Sequence, residues 1–187
     1  MIKTFFSDFK HVFPILILSK FLGFLNNFLL PILIAKLLGP AEFGTMSYLL
    51  VVSSIFLGLA NFGMEKNIII DAHKQNVILS SIYLLKLFFA LIFSLLFAAM
   101  LLINFNNFNF IILIVLSTFI NSFMIPELLF QGSGRFDLFY LSQSLSSVFA
   151  IIFKIIGIFY SFNLQYFICI VLLESIFSFT IVHLLYL

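Results

Sequence analysis

A chain of 187 residues with 64% hydrophobic and only 9% charged side chains has too few polar groups to cover the surface of a water-soluble domain. Its net charge of +2, with the Lys and Arg residues scattered rather than striped, excludes an electrostatic nucleic-acid binder. The single cysteine, Cys169, excludes an intrachain disulfide and a cysteine-built metal cage.

Six apolar runs, each near the ~20 residues a helix needs to cross hydrocarbon, predict an all-α, polytopic membrane domain spanning residues 1–187. The spans fall at about 12–37, 43–64, 77–103, 110–130, 138–160 and 166–187. The first follows Lys3 and Lys10 as a signal peptide would, but it is too long and lacks a small-residue cleavage site, so it reads as a retained span. "LGP", Leu38 to Pro40, then supplies a glycine cap and a proline stop before the second span. "MEKNIIIDAHKQN", Met64 to Asn76, reads as a connection holding a short interfacial helix. "NFNNFN", Asn104 to Asn109, turns the chain into the fourth span.

"PELLFQGSGRFD", Pro126 to Asp137, ends that span: Pro126 loosens the last helical turns and Gly132 and Gly134 let the chain reverse. "SFNLQ", Ser161 to Gln165, separates the last two spans. With alternating spans, Lys3, Lys10, Lys66, Lys74 and Arg135 lie on one side against Lys36 on the other. Because cytoplasmic loops retain Lys and Arg, both termini are expected in the cytoplasm. The 29 phenylalanines are read as compositional bias rather than as ligand-stacking groups.

Polar residues within spans are the natural functional candidates, since a charge facing lipid is costly and turns toward a bundle interior or a watery cavity. At helical spacing Lys20, Gly23, Asn27 and Pro31 share a face, as do Ser47, Ser54, Gly58, Asn61 and Glu65. Gln143, Ser147, Ala150, Lys154, Gly157 and Ser161 repeat the pattern, and Tyr83, Lys86, Ala90 and Ser94 do so more weakly. One reading is a polar cavity whose Lys20, Lys86 and Lys154 attract an anionic head group; the other is close helix contact through small residues, with lysines snorkelling to an interface. Lys86 stands roughly 14 Å into its span at 1.5 Å per residue, which fits a cavity better than snorkelling. For Lys20 and Lys154 both readings stay open. Glu174 reads as a lysine's partner or a proton site, and Glu127 with Gln131 as either the cavity's inner mouth or an interfacial pair.

Enzyme chemistry finds little support. His11, His73 and His183 lack metal-ligand spacing, "GSG" at 132–134 lacks the Lys-Ser/Thr of a phosphate loop, and Glu65, Asp71 and Asp137 form no catalytic pair. The expectation is a non-enzyme without cofactor or metal.

Two segments carry a resemblance. "LLPILIAKLLGPAEFGTMSYLLVVSSIFLGLANFGMEKNII", Leu29 to Ile69, is similar to the first two spans of bacterial Wzx-type polysaccharide flippases, with their "LGP…FG" turn. "PELLFQGSGRFDLFYLSQSLSSVFAIIFKIIGI", Pro126 to Ile158, resembles the family's "PEWLFQG" junction, with Leu128 where Trp is frequent. The resemblance implies one six-span lobe of a two-lobed carrier of the multidrug/oligosaccharidyl-lipid/polysaccharide exporter superfamily. It further implies a polyprenyl-linked oligosaccharide as substrate, O-antigen or capsule export, and residence in the bacterial inner membrane. Membrane lipids and a polysaccharide polymerase or glycosyltransferases would be its partners. Lys20, Asn27, Asn61, Lys86, Gln143 and Lys154 are then the candidate substrate-binding residues, with Glu127, Gln131 and Glu174 at coupling or mouth positions. A small-solute exporter of the same superfamily and a non-transporting membrane scaffold are the rival readings. Family members have two such lobes, whereas this chain supplies the first alone, so alternating access between lobes is not carried over directly.

Overall fold

Pro31, Pro40 and Pro126 lack the N–H that a continuous helix uses, and each ring collides with the carbonyl four residues earlier. These collisions shape the bundle. In a computed structural model, which describes residues 2–73, 79–104 and 108–186, every regular element is helical. The first, α1 (Ile2–Phe24), widens ahead of Pro31 into a π-helical turn, Leu25–Leu29, in which the Leu30 N–H donates to the Leu25 carbonyl five residues back. The chain continues as α2 (Leu30–Asn61), broken at Gly39, whose φ of 76° and ψ of 172° no helix contains. Glycine pays no Cβ penalty there, and Pro40 restarts the helix where its missing N–H is harmless.

Beyond the left-handed pair Phe62 and Gly63, α3 (Met64–His73) is a ten-residue helix, followed by α4 (Leu79–Asn104). The span expected at 110–130 is not continuous. α5 (Phe108–Ser122) stops four residues before Pro126, and α6 (Ile125–Gly132) begins after Met124 leaves the helical region at φ −75°, ψ 48°. Pro126 therefore breaks the span upstream of itself instead of loosening the turns after it, and its ring sits in the first turn of a new helix. α7 (Phe136–Phe159) and α8 (Leu164–Tyr186) complete the chain.

Among the described residues, five stretches are long and apolar enough to cross a membrane: Val12–Asn61, Leu84–Ile103, Phe108–Gly132, Phe136–Phe159 and Leu164–Tyr186. The first is 50 residues long, more than twice what the hydrocarbon needs, and the break at Gly39 divides it into two crossings. The chain is a multi-pass, all-α membrane protein. Its outer surface agrees, because Leu84, Leu95, Ile103 and Leu184 are 68% to 85% exposed, a pattern that lipid tolerates and water does not.

α7 packs between α1 and α8, α5 lies against α8, and α4 rests on α2 and α5. Apolar burial is unevenly placed. Ile34, Leu49, Phe97, Leu101, Ile114, Phe167 and Ile170 form one core, against which Leu37, Leu38 and Ile158 pack toward the Lys36 side. A smaller cluster, Ile68 with Ile125 and Leu129, binds α3 to α6 at the opposite end. Between them the bundle interior is polar.

The α3–α6 contact depends on Gly132. A Cβ there would lie 2.5 Å from the Ile69 carbonyl oxygen and 2.6 Å from the Ala72 Cβ, and a backbone atom cannot swing aside. Gly132→Ala is expected to push α3 off α6 at a cost of roughly 1–3 kcal/mol, as overpacking usually does. A thermal-unfolding midpoint unchanged from the native protein in the same detergent would contradict this.

Candidate functional site: a polar cavity inside the bundle

A cavity of about 610 Å³ opens among α1, the π-helical turn, α5, α6, α7 and α8. Its walls carry Lys20, Asn26, Asn27, Asn121, Glu127, Gln143 and Glu174, interspersed with Ser19, Ser146, Ser147, Ser175 and Ser178. Ser147 and Ser175 stand at the midpoints of α7 and α8, so the cavity lies at mid-membrane depth, below the level at which long side chains snorkel. On the Lys36 side it is closed by the apolar core.

Lys154 lies behind the lining residues Asn26 and Glu174 and is only 7% exposed. Its Nζ donates to Asn26 Oδ1 at 2.7 Å and lies 3.5 Å from Glu174 Oε2, while Asn26 Nδ2 donates to Glu174 Oε1 at 2.9 Å. Each member of this triad bonds the other two. That closure is what lets an ammonium persist here, because an unpaired buried charge is strongly destabilising. A second chain runs from Ser19 Oγ to Gln143 Oε1 at 3.3 Å and from Gln143 Nε2 to Glu127 Oε1 at 3.2 Å. Among the serines that line the cavity, Ser146 and Ser175 donate to carbonyls four residues back in their own helices.

A smaller cavity of about 250 Å³ adjoins the first and shares Asn121 and Glu127 with it. Asn61, Glu65 and Lys86 line it, and Asn61 Nδ2 donates to Glu65 Oε1 at 2.7 Å. Lys86 is 3% exposed and feels both Glu65 and Glu127 electrostatically.

The structure thus distributes the sequence candidates over two cavities. Lys20, Asn27, Glu127, Gln143 and Glu174 surround the larger, and Asn61 and Lys86, with Glu127 again, the smaller. Gln131 lines neither. The three lysines do not form one basic face: Lys154 is held by Glu174, Lys86 lies in the smaller cavity, and Lys20 is exposed at the rim with its Nζ 5.9 Å from the Tyr140 ring centroid. Asn26 and Asn121 are site residues that the spacing argument did not select, and Glu65, which it placed on the Asn61 face, was not among the binding candidates. The side chains of Lys3, Lys10, His11, Asp71, His73 and Tyr83, and the whole of Lys74, lie outside the described residues.

Comparison with protein families matches residues 33–186 to the polysaccharide biosynthesis protein model. The chain belongs to that family. Comparisons with curated proteins and with solved structures gave no match. Membership covers the bundle from the last turns of the first crossing onward, including Glu127, Gln143 and Glu174 of the larger cavity, the Lys154 that pairs with Glu174, and the whole of the smaller cavity. A membrane protein of polysaccharide biosynthesis with a polar cavity at mid-membrane depth is the object whose activity has to be explained.

Proposed function

We propose that this bundle is one lobe of a flippase for lipid-linked oligosaccharides, undecaprenyl-pyrophosphate repeat units in particular, acting in O-antigen or capsule export across the bacterial inner membrane. The observation that carries the reading is the 610 Å³ cavity itself. Amide and carboxylate side chains at mid-membrane depth offer hydrogen bonds to sugar hydroxyls where lipid offers none, which is what a sugar needs in order to cross. The arrangement also bears on the charged part of the substrate. Lys154 and Glu174 neutralise each other, so the exposed Lys20 at the rim is the cation that meets the pyrophosphate while the sugars occupy the interior.

The protein is read as a carrier and not as an enzyme, working beside the glycosyltransferases and polymerase that make and use its cargo. Both termini are assigned to the cytoplasm, because Lys66 and Arg135 lie at the ends of the bundle away from the apolar core. Cells lacking the gene are expected to lose surface polysaccharide and to accumulate the complete lipid-linked repeat unit on the inner leaflet. Accumulation of the sugar-free lipid carrier instead would point to a scaffold or enzyme acting earlier and would sink the flippase reading.

A further inference from the structure

The smaller cavity raises a separate question, because its polar groups are not in balance. Lys86 is almost fully buried and aims into it, yet among the described residues its ammonium makes no hydrogen bond and no ion pair within 4.0 Å. Asn61 Oδ1 is buried with no hydrogen-bond partner at all. Glu65 and Glu127 face the same space, each with one oxygen engaged by an amide, from Asn61 and Gln143 respectively. A buried acceptor left open beside an ammonium without a hydrogen-bond partner costs that acceptor its desolvation. Something that both donates and accepts has to complete them.

We infer that this cavity is a binding subsite for a single uncharged or amino-bearing sugar ring, recognised by Lys86, Asn61, Glu65 and Glu127. The inference rests on the flippase reading and deepens it. A sugar hydroxyl accepts from the Lys86 ammonium while donating to Asn61 Oδ1 or to a carboxylate, so one ring satisfies every open group. Neither a bare cation nor a bare anion does so: a cation leaves Lys86 unpaired, and an anion leaves Asn61 Oδ1 without a donor. Sign of charge then sets specificity. Two carboxylates face one ammonium, which repels the carboxylate of an acidic sugar and favours a neutral ring or one bearing an amine. The shared lining at Asn121 and Glu127 puts the smaller cavity beside the larger, so a terminal sugar seats here next to the space that takes the rest of the chain.

The test is saturation-transfer NMR on the full chain in lipid nanodiscs, with N-acetylglucosamine, glucosamine and glucuronic acid as probes. The native protein is expected to transfer saturation to the first two and to bind glucuronic acid at least tenfold more weakly. Lys86→Met removes the ammonium and Leu57→Phe fills the smaller cavity without touching the larger, which Leu57 does not line. Both variants are expected to lose the signal. Leu57→Phe stands alone if Lys86→Met fails to fold, as checked by helical circular dichroism. Equal or stronger binding of glucuronic acid, a signal undiminished in Leu57→Phe, or no transfer to any probe overturns the subsite. A deletion strain that fails to accumulate lipid-linked oligosaccharide overturns the flippase reading independently of these signals.

Discussion

Replacing Glu174 by alanine is expected to cost the bundle about 3–5 kcal/mol, the usual penalty for removing one partner of a buried ion pair. Lys154 is itself buried. It is 7% exposed, and without Glu174 its ammonium keeps one hydrogen bond, to Asn26 Oδ1. Asn26 in turn loses the acceptor for its Nδ2. The double variant Lys154→Met with Glu174→Leu is expected to recover most of the loss, because an apolar pair of similar volume replaces two desolvated charges and their penalty. The measurement is a double-mutant cycle by denaturant titration in mixed micelles. A single Glu174→Ala loss within about 0.5 kcal/mol of the native value, the range of ordinary surface substitutions, would mean that Lys154 finds water or lipid headgroups after all. The pair would then contribute nothing to holding α7 against α8.

Much of the fold could be read from local chemistry. "LGP" carries both requirements of the break it makes, a residue tolerant of φ 76° and a proline that restarts a helix, and both are visible in the letters. The segment from Met64 is bounded by a left-handed Phe62 and Gly63 and is polar enough to lie apart from the spans, so its separate helix was legible too. The break at Met124 was harder. Pro126 announces a disturbance, but whether a proline kinks the helix after it or terminates the helix before it depends on what the freed groups can bond. Here Phe123 and Met124 close short turns on Ile120 and Asn121, so the chain stops and starts again.

The site was legible as a set of residues and not as an arrangement. Periodicity shows which side chains share a helix face; it cannot show that Lys154 would be answered by Glu174 from another helix, or that Lys86 would be separated from both. Charge pairing between helices is a long-range property. Three lysines at helical positions therefore suggested one basic seam, whereas the bundle divides them into a neutralised pair, a buried cation facing two carboxylates, and an exposed cation at the rim. The consequence for chemistry is large, since the interior is left suited to hydroxyls rather than to phosphate.

Asn26 and Asn27 give the sharpest test of that arrangement. A uniform helix anchored on Lys20 puts Asn27 on the functional face, because the seven residues between them make nearly two turns. Lys20 and Asn27 do line the cavity, but from its edge. The long stem of Lys20 carries the charge out to the rim, and the buried register passes instead through Ser19, Asn26, Leu30 and Ile34. The π-helical turn contributes to this, since its wider winding keeps Asn26 and Leu30, four positions apart, on one buried face. Asn27 is exposed at the cavity's edge, while Asn26 is 4% exposed and bonded to both Lys154 and Glu174. Asn26→Leu is therefore expected to cost about 2–4 kcal/mol, the sum of two hydrogen bonds to charged groups at roughly 1.5–3 each less the gain from an apolar side chain. Asn27→Leu is expected to change stability by no more than about 0.5 kcal/mol, as substitutions away from such networks do. Denaturant titration of the two variants side by side reads the difference, and equal losses would mean that the register through the π-helical turn is not the one described.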